Sequence, residues 1–437
     1  MRNALVATSI LLLCACGASR EGSTCGPGTI DVDGVCVPAE DGGADADSDA
    51  DTDTDTDADT DTDTDTGTGT GTGTDTDTGT GTDTDTCGGE EDEGWITETV
   101  DSDGTVGAYT SIAIDADDVV HIGYLHGAAF SGDEVRRAFG AAGGWTIETV
   151  DDTGTPEAPS LALGADGSAH AAWYDFGGRD LRYATDAGGG WASENVDTTG
   201  DTGVDPSVAV GSDDLVRIAY HDISEDHLKL ATGAAGGFTI ETAASGFAWA
   251  MYSGLALDEA DVAHAVYHDV FSGDLRYAND SLGVWDVVSP AWDGTVGLYP
   301  SIAIDADGAP WMSYRDQTNQ DMRVVTDVAG AWEIEVVDDT TDSGFDTSIA
   351  VDAEGAIHVS YRDDTNDDLH YGVRRGGEWT TERVDSVGDT GRNTSVAIGA
   401  DGVVHLSYYD ATNGDLRYAR TAAPSNGVDE DCDGVTR

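Results

Sequence analysis

The chain has 437 residues and carries 86 acidic against 19 basic side chains, for a formal net charge of −67. Its only lysine is Lys229 and no run of basic residues occurs, which excludes nucleic acid and anionic lipid headgroups as electrostatic partners.

The N-terminus places Arg2 before an apolar run from Ala4 to Leu13. A membrane-spanning helix needs about 20 apolar residues, so this run predicts a removable export signal rather than an anchor. The following tetrad, Leu13-Cys14-Ala15-Cys16, resembles a bacterial lipobox. That resemblance implies cleavage after residue 15 and lipid attachment at Cys16. It also implies an exported lipoprotein held at the outer membrane or cell surface, touching the membrane only through its lipid.

With Cys14 removed in the signal and Cys16 lipidated, Cys25, Cys36, Cys87 and Cys432 remain. An even remainder in an exported chain predicts disulfides. Cys25 and Cys36 close a small loop within residues 16–40, which leaves Cys87 and Cys432 for each other. Residues 41–93 follow, and from Gly43 to Thr86 the chain is almost entirely Asp, Thr and Gly. No aromatic or large aliphatic side chain is present there to offset the ordering entropy, so this segment reads as a disordered spacer. The 16 aspartates between Asp41 and Thr86 leave 70 acidic against 19 basic residues elsewhere, so the remainder is also strongly acidic.

Residues 94–423 repeat. A copy running from Thr394 to Ala419 has counterparts of its first serine at Ser111, Ser160, Ser207, Ser253, Ser301 and Ser348. The aromatic of its second apolar run recurs as Tyr124, Trp173, Tyr220, Tyr267, Tyr314, Tyr361 and Tyr408, with a spacing of 47 residues from Trp173 onward and 49 before it. Each repeat holds four short runs rich in β-branched and aromatic residues; in the fifth these are Ser301–Asp305, Pro310–Arg315, Met322–Thr326 and Trp332–Val337. Four strands per repeat, seven times over, predict an all-β seven-bladed propeller and a monomer. Fourth strands begin at Trp95, Trp145, Trp191, Phe238, Trp285, Trp332 and Trp379, and none follows Ala419. The segment from Trp95 to Val100 must therefore complete the seventh blade and close the ring. Cys87 and Cys432 flank that seam.

The repeat resembles the short-blade propellers of the sialidase-like superfamily from Trp95 to Ala419. The Ser-x-Asp-x-Gly-x-x-Trp boxes and arginine triad of sialidases are the points of departure, because the Asp-x-Asp-Gly turns here lack the following Trp. The resemblance thus implies fold rather than activity. Histidines recurring as His121, His170, His264, His358 and His405 share their slot with Arg217 and Trp311, which marks a packing role. Asp175, Asp222, Asp269, Asp316, Asp363 and Asp410 end the second strand and predict Asx-type turns.

Chemistry is needed once and packing seven times, so a site belongs where the repeat is broken. Of ten tryptophans, Trp249 and Trp292 alone leave the pattern, in loops from a fourth to a first strand, together with Phe247, Met251 and Tyr252. These five are the candidate ligand-binding residues. Serine hydrolase, metalloprotease and phosphate-loop motifs are absent. In the acidic tail, residues 424–437, the alternating Asp429, Asp431 and Asp433 resemble acidic repeats proposed to bind metal, and their oxygen-only set suits Ca²⁺. The sequence therefore points to a surface-displayed, non-enzymatic binding propeller for a carbohydrate or protein ligand. A propeller glycosidase, a polysaccharide lyase and a structural envelope component are the alternatives.

Overall fold

The computed structural model describes residues 29–32, 35–38, 94–128, 131–245, 250–328 and 330–422. Two units are present. In the first, Thr29–Val32 and Val35–Pro38 pair as an antiparallel hairpin that sets Asp31 opposite Cys36. The second contains seven four-stranded antiparallel sheets and no helix among the described residues, which is the seven-bladed propeller.

Alternation of apolar and polar residues explains each blade. In the first, Val106–Ile114 is the innermost strand, followed outwards by Val120–His126, Glu134–Ala141 and Gly144–Asp151. The second strand is buried on both faces and the outermost strand is largely exposed on one, matching their apolar and alternating patterns. In the fifth blade the strands are Leu298–Ile304, Pro310–Asp316, Asp321–Thr326 and Glu333–Asp338, within a few residues of the runs read from sequence. Trp95–Asp101 pairs with Asp415–Thr421 as the outer strand of the seventh blade, so the N-terminal end of the domain does close the ring.

The recurring serines bind one blade to the next. Ser111, Ser160 and Ser207 accept the backbone N–H of Leu161, Val208 and Leu255 at 3.0, 3.1 and 3.1 Å. Ser301, Ser348 and Ser395 accept those of Ile349, Val396 and Ile112 at 3.3, 3.1 and 3.3 Å, the last across the closing seam. The fourth blade departs from the sequence assignment: Gly254, not Ser253, stands in the serine slot, facing Val266 as Ser207 faces Ala219. A Cβ at Gly254 would lie 3.0 Å from the Val266 side chain, whereas the other blades face their serine with Gly, Ala or Ser. The Ser253 hydroxyl instead donates to the Asp205 carbonyl, as Thr110 and Thr347 do to Asn393 and Tyr299 at 2.7 Å each.

The histidine slot is structural. His358 joins Asp352 of the inner hairpin at 3.0 Å to the Tyr371 hydroxyl at 2.5 Å, and His170, His264 and His405 reach Tyr183, Tyr277 and Tyr418 at 2.6, 2.5 and 2.6 Å. The tryptophan of the next blade's outer strand packs edge-on against that tyrosine, Trp95 on Tyr371 at 5.0 Å and Trp145 on Tyr418 at 5.1 Å. In the fifth blade Trp311 takes the histidine's place three residues after Gly308, and its indole N–H donates to Asp305 at 3.0 Å. The turns therefore do not uniformly lack a following Trp. The repeated aspartates form the expected Asx turns, Asp175 accepting Gly177 N–H at 3.1 Å and Asp410 accepting Thr412 N–H at 3.0 Å.

Candidate functional site

Each innermost strand carries a bulge shortly before its serine slot, and in every blade one residue there adopts a left-handed backbone. These are Tyr109, Ala158, Asp205, Tyr252, Tyr299, Asp346 and Asn393, with φ between 46° and 56°. Non-glycine residues rarely hold this conformation, and bulges serve to re-aim side chains. Because the bulge recurs seven times it belongs to the fold. What differs is the side chain it carries.

Two flanking slots vary in the same way. The residue before each bulge position pairs across to the second strand, giving Ala108 with Leu125, Glu157 with Tyr174, Val204 with His221 and Met251 with His268. The series continues with Leu298 and Arg315, Phe345 and Arg362, and Arg392 and Tyr409. Three variable positions per blade thus surround the axis at one mouth, on the face where second-to-third and fourth-to-first loops meet, as in the bond from Phe176 N–H to the Thr155 carbonyl at 2.9 Å.

Side chains of the ring bond tangentially to the next blade. Asp205 accepts the Tyr252 N–H at 2.9 Å, Asp346 the Asn393 N–H at 2.9 Å, and Asn393 the Tyr109 N–H at 3.0 Å. Along one wall the rings of Tyr252 and Tyr299 lie 4.6 Å apart and those of Tyr299 and Phe345 5.7 Å apart, an aromatic arc across three consecutive blades. Asp205 stands at one end of this arc and Asp346 at the other. Burial raises the pKa of both; for Asp346 the bond from Asn393 and the charges of Arg362 and Arg392 oppose that rise, whereas for Asp205 only the bond from Tyr252 does.

On the facing wall the Tyr109 phenol sits beside Glu157, which is buried. Desolvation, then the charges of Glu157, Asp205 and Asp346, push that phenol above its ordinary range, so groups from the first, second, third and sixth blades converge here. The guanidiniums at the mouth are already engaged. Arg315 pairs with Asp342 at 2.7 Å and lies 4.0 Å over the Phe345 ring; Arg362 pairs with Asp364, Asp367 and Asp389; Arg392 pairs with Asp389 at 2.6 Å. Burial drives His221 down to about 4 and lowers His268, whose Nδ1–H donates to the Val296 carbonyl at 3.0 Å, so both imidazoles are neutral near pH 7.

Of the residues singled out from sequence, Tyr252 is a member of the ring. Trp292 stands 67% exposed in the loop before the fifth blade, next to the loop bearing Phe271, the two loops being joined by a bond from Val296 N–H to the Gly273 carbonyl at 2.8 Å. Met251 contributes its backbone opposite His268. Phe247, Trp249, Cys16, Cys25, Cys87, Cys432, Asp429, Asp431 and Asp433 lie outside the described residues. Among the described residues no group of three or more His, Cys, Asp or Glu side chains is arranged to hold a metal ion. A depression of about 500 Å³ at the hairpin end of the first three blades is lined by Asp115, Asp117, Asp166 and Ser212 with apolar neighbours. Asp115 and Asp166 there are occupied by the N–H groups of their own turns.

No family model matches the sequence, and no curated protein does. Among solved structures the chain is similar to a catalytically inactive virginiamycin B lyase from Staphylococcus aureus, with 9% identity over 74% of this chain and 99% of that one and a TM-score of 0.52. It is similar to the NanB sialidase from Streptococcus pneumoniae, with 11% identity over 75% of this chain and 70% of that one and a TM-score of 0.42. The lectin of Aleuria aurantia is similar with 12% identity over 64% of this chain and 96% of that one, at a TM-score of 0.44. At these identities the likeness is one of fold.

Proposed function

We propose that this propeller binds carbohydrate at the funnel mouth and is displayed away from a membrane by lipid on Cys16 and the acidic spacer. The observation that carries the reading is the aromatic arc Tyr252, Tyr299 and Phe345, flanked by Asp205 and Asp346. Half-buried rings offer a sugar's C–H face a flat, low-entropy platform, while carboxylates and guanidiniums around them accept and donate bonds to hydroxyls. Trp292 extends that surface to the rim.

Binding without turnover agrees with the absence of hydrolase motifs. A glycosidase or lyase is the second reading, favoured by one pair: the Tyr109 phenol against buried Glu157, an acid and a base in reach of each other. Tyr299→Ala is expected to weaken glycan binding at least about tenfold, a loss of about 1.4 kcal/mol, in isothermal titration against any array-selected ligand. Trp249→Ala with Trp292→Ala is expected to weaken it too while barely moving Tm. Binding that survives all three substitutions eliminates the funnel. Release of reducing ends by the wild type, abolished in Tyr109→Phe, moves the assignment to the second reading. The anchor is tested separately, since Cys16→Ser should shift the chain from the membrane fraction to the soluble one.

A further inference from the structure

The charge at the funnel mouth narrows the ligand. Arg315, Arg362 and Arg392 are guanidiniums there, and each already faces carboxylates: Asp342, Asp364, Asp367 and Asp389. Asp205, Asp346 and Glu157 add three further carboxylates on the axis. His221 and His268 contribute no positive charge near pH 7, because burial keeps them neutral. These groups number seven carboxylates against three guanidiniums, and Arg179 of the second blade's loop likewise already faces Asp201, within a chain of net charge −67. An anionic sugar entering here meets repulsion from the whole field and must displace existing ion pairs.

Asp205 is the decisive group. It is held in place by the Tyr252 N–H at 2.9 Å, and among the described residues no cation contributes to its environment, in contrast to Asp346. A carboxylate taken out of water without a cation is costly, and a ligand cation beside it removes that cost. Next to it lies Tyr252, whose ring meets that of Tyr299 at 4.6 Å, and the negative quadrupoles of such rings also attract cations. Carboxylate and aromatic faces on adjacent blades are complementary to an ammonium group.

Resting on the carbohydrate reading above, we infer that the funnel recognises a glycan bearing free amino groups, the ammonium seated between Asp205 and the aromatic arc of Tyr252 and Tyr299. Neutral N-acylated sugars lose the charge contact, and uronates are excluded by the field.

The test is isothermal titration of the full chain at about pH 6, where the amines are charged, with glucosamine, N-acetylglucosamine and galacturonate tetramers, and with tetralysine as a non-sugar cation. The glucosamine tetramer is expected to bind at least about tenfold more tightly than its acetylated counterpart, with no binding of the galacturonate. Asp205→Asn should remove most of that difference. This variant is expected to fold, because Asn393 already makes the equivalent bond to Tyr109 N–H in the seventh blade. Tyr299→Ala should weaken the glucosamine tetramer and leave tetralysine unchanged, separating the funnel from general attraction to an acidic chain. Equal or tighter binding of the acetylated or acidic tetramer, lost in Tyr299→Ala, overturns the amine preference but keeps the carbohydrate site. Tetralysine matching the glucosamine tetramer, or Asp205→Asn without effect, overturns the preference as well. If no tetramer binds and array-selected glycans are unaffected by Tyr299→Ala, both readings fall.

Discussion

Deletion of Trp95 to Val100 is expected to open the propeller and to cost it most of its stability. Trp95 and the residues after it pair with Asp415–Thr421 as the outer strand of the seventh blade. The Trp95 ring packs on Tyr371 of the sixth blade at 5.0 Å, its indole N–H donates to Glu382 at 3.0 Å, and Val100 is buried against the first blade. Half a dozen ladder bonds at about 1 kcal/mol each, with roughly 2 kcal/mol for the buried part of the tryptophan, make a sum comparable to the 5–15 kcal/mol stability of an ordinary domain. The deletion also leaves the third strand as a bare edge, which invites pairing with a second chain. Calorimetry and size-exclusion chromatography should show a fall in Tm well above 10 °C together with dimers or larger species. A deletion variant that melts like the intact chain and stays monomeric would falsify the closure argument. The outer strand of an interior blade, by contrast, sits within an unbroken chain, so truncating Trp191 there is expected to cost less.

The architecture was legible because it is written seven times. Trp173, Tyr220 and their counterparts recur every 47 residues, and the surplus fourth strand at Trp95 has nowhere to pair except the last blade. The Asx turns and the packing role of the histidines followed from the same repetition. The funnel was less visible for a physical reason. Its members are far apart in sequence and meet only when the ring closes, and they sit at a bulge where one strand residue is unpaired. A serine in the right neighbourhood can then be read one position out of register, as happened with Ser253 and Gly254. The signal was nonetheless present. Aligned on the bulge, the column Tyr109, Ala158, Asp205, Tyr252, Tyr299, Asp346 and Asn393 varies, while the position two residues later is serine in every blade but the fourth, where it is Gly254. The tryptophans outside the repeat mark the rim through Trp292 and touch the ring only through their neighbour Tyr252, because a variable column carries no single residue type as its signature.

Acidification is expected to destabilise the propeller between about pH 6.5 and 4, well before its paired carboxylates protonate. Burial is the main cause holding His221 and His405 down to about 4, and it lowers His121, His170, His264 and His358 as well. In an unfolded chain these imidazoles titrate near 6.5. Below that pH the unfolded state binds protons that the native state refuses, so stability falls as pH falls, by about 1.4 kcal/mol per pH unit for each fully refusing group, until the native imidazole titrates. Four aspartates act in the opposite direction: burial raises the pKa of Asp205, Asp346, Asp180 and Asp415, and protonating them as pH falls relieves a native-state cost. Loss of negative charge over the whole surface also opposes the histidines. Substitution separates these contributions, because both opposing effects are retained when only the imidazoles are removed. His405→Gln removes the imidazole of the seventh blade while keeping a polar group in reach of the Tyr418 hydroxyl. His221→Phe replaces a buried ring whose nitrogens meet no protein partner among the described residues. Urea unfolding at intervals from pH 7 to 4.5 should therefore show the double variant losing less stability than the wild type, by up to about 5 kcal/mol over the two units below 6.5. Parallel curves for the two proteins would mean that these imidazoles take up protons in the folded state as readily as in the unfolded one, and that the acid limb belongs to the carboxylates instead.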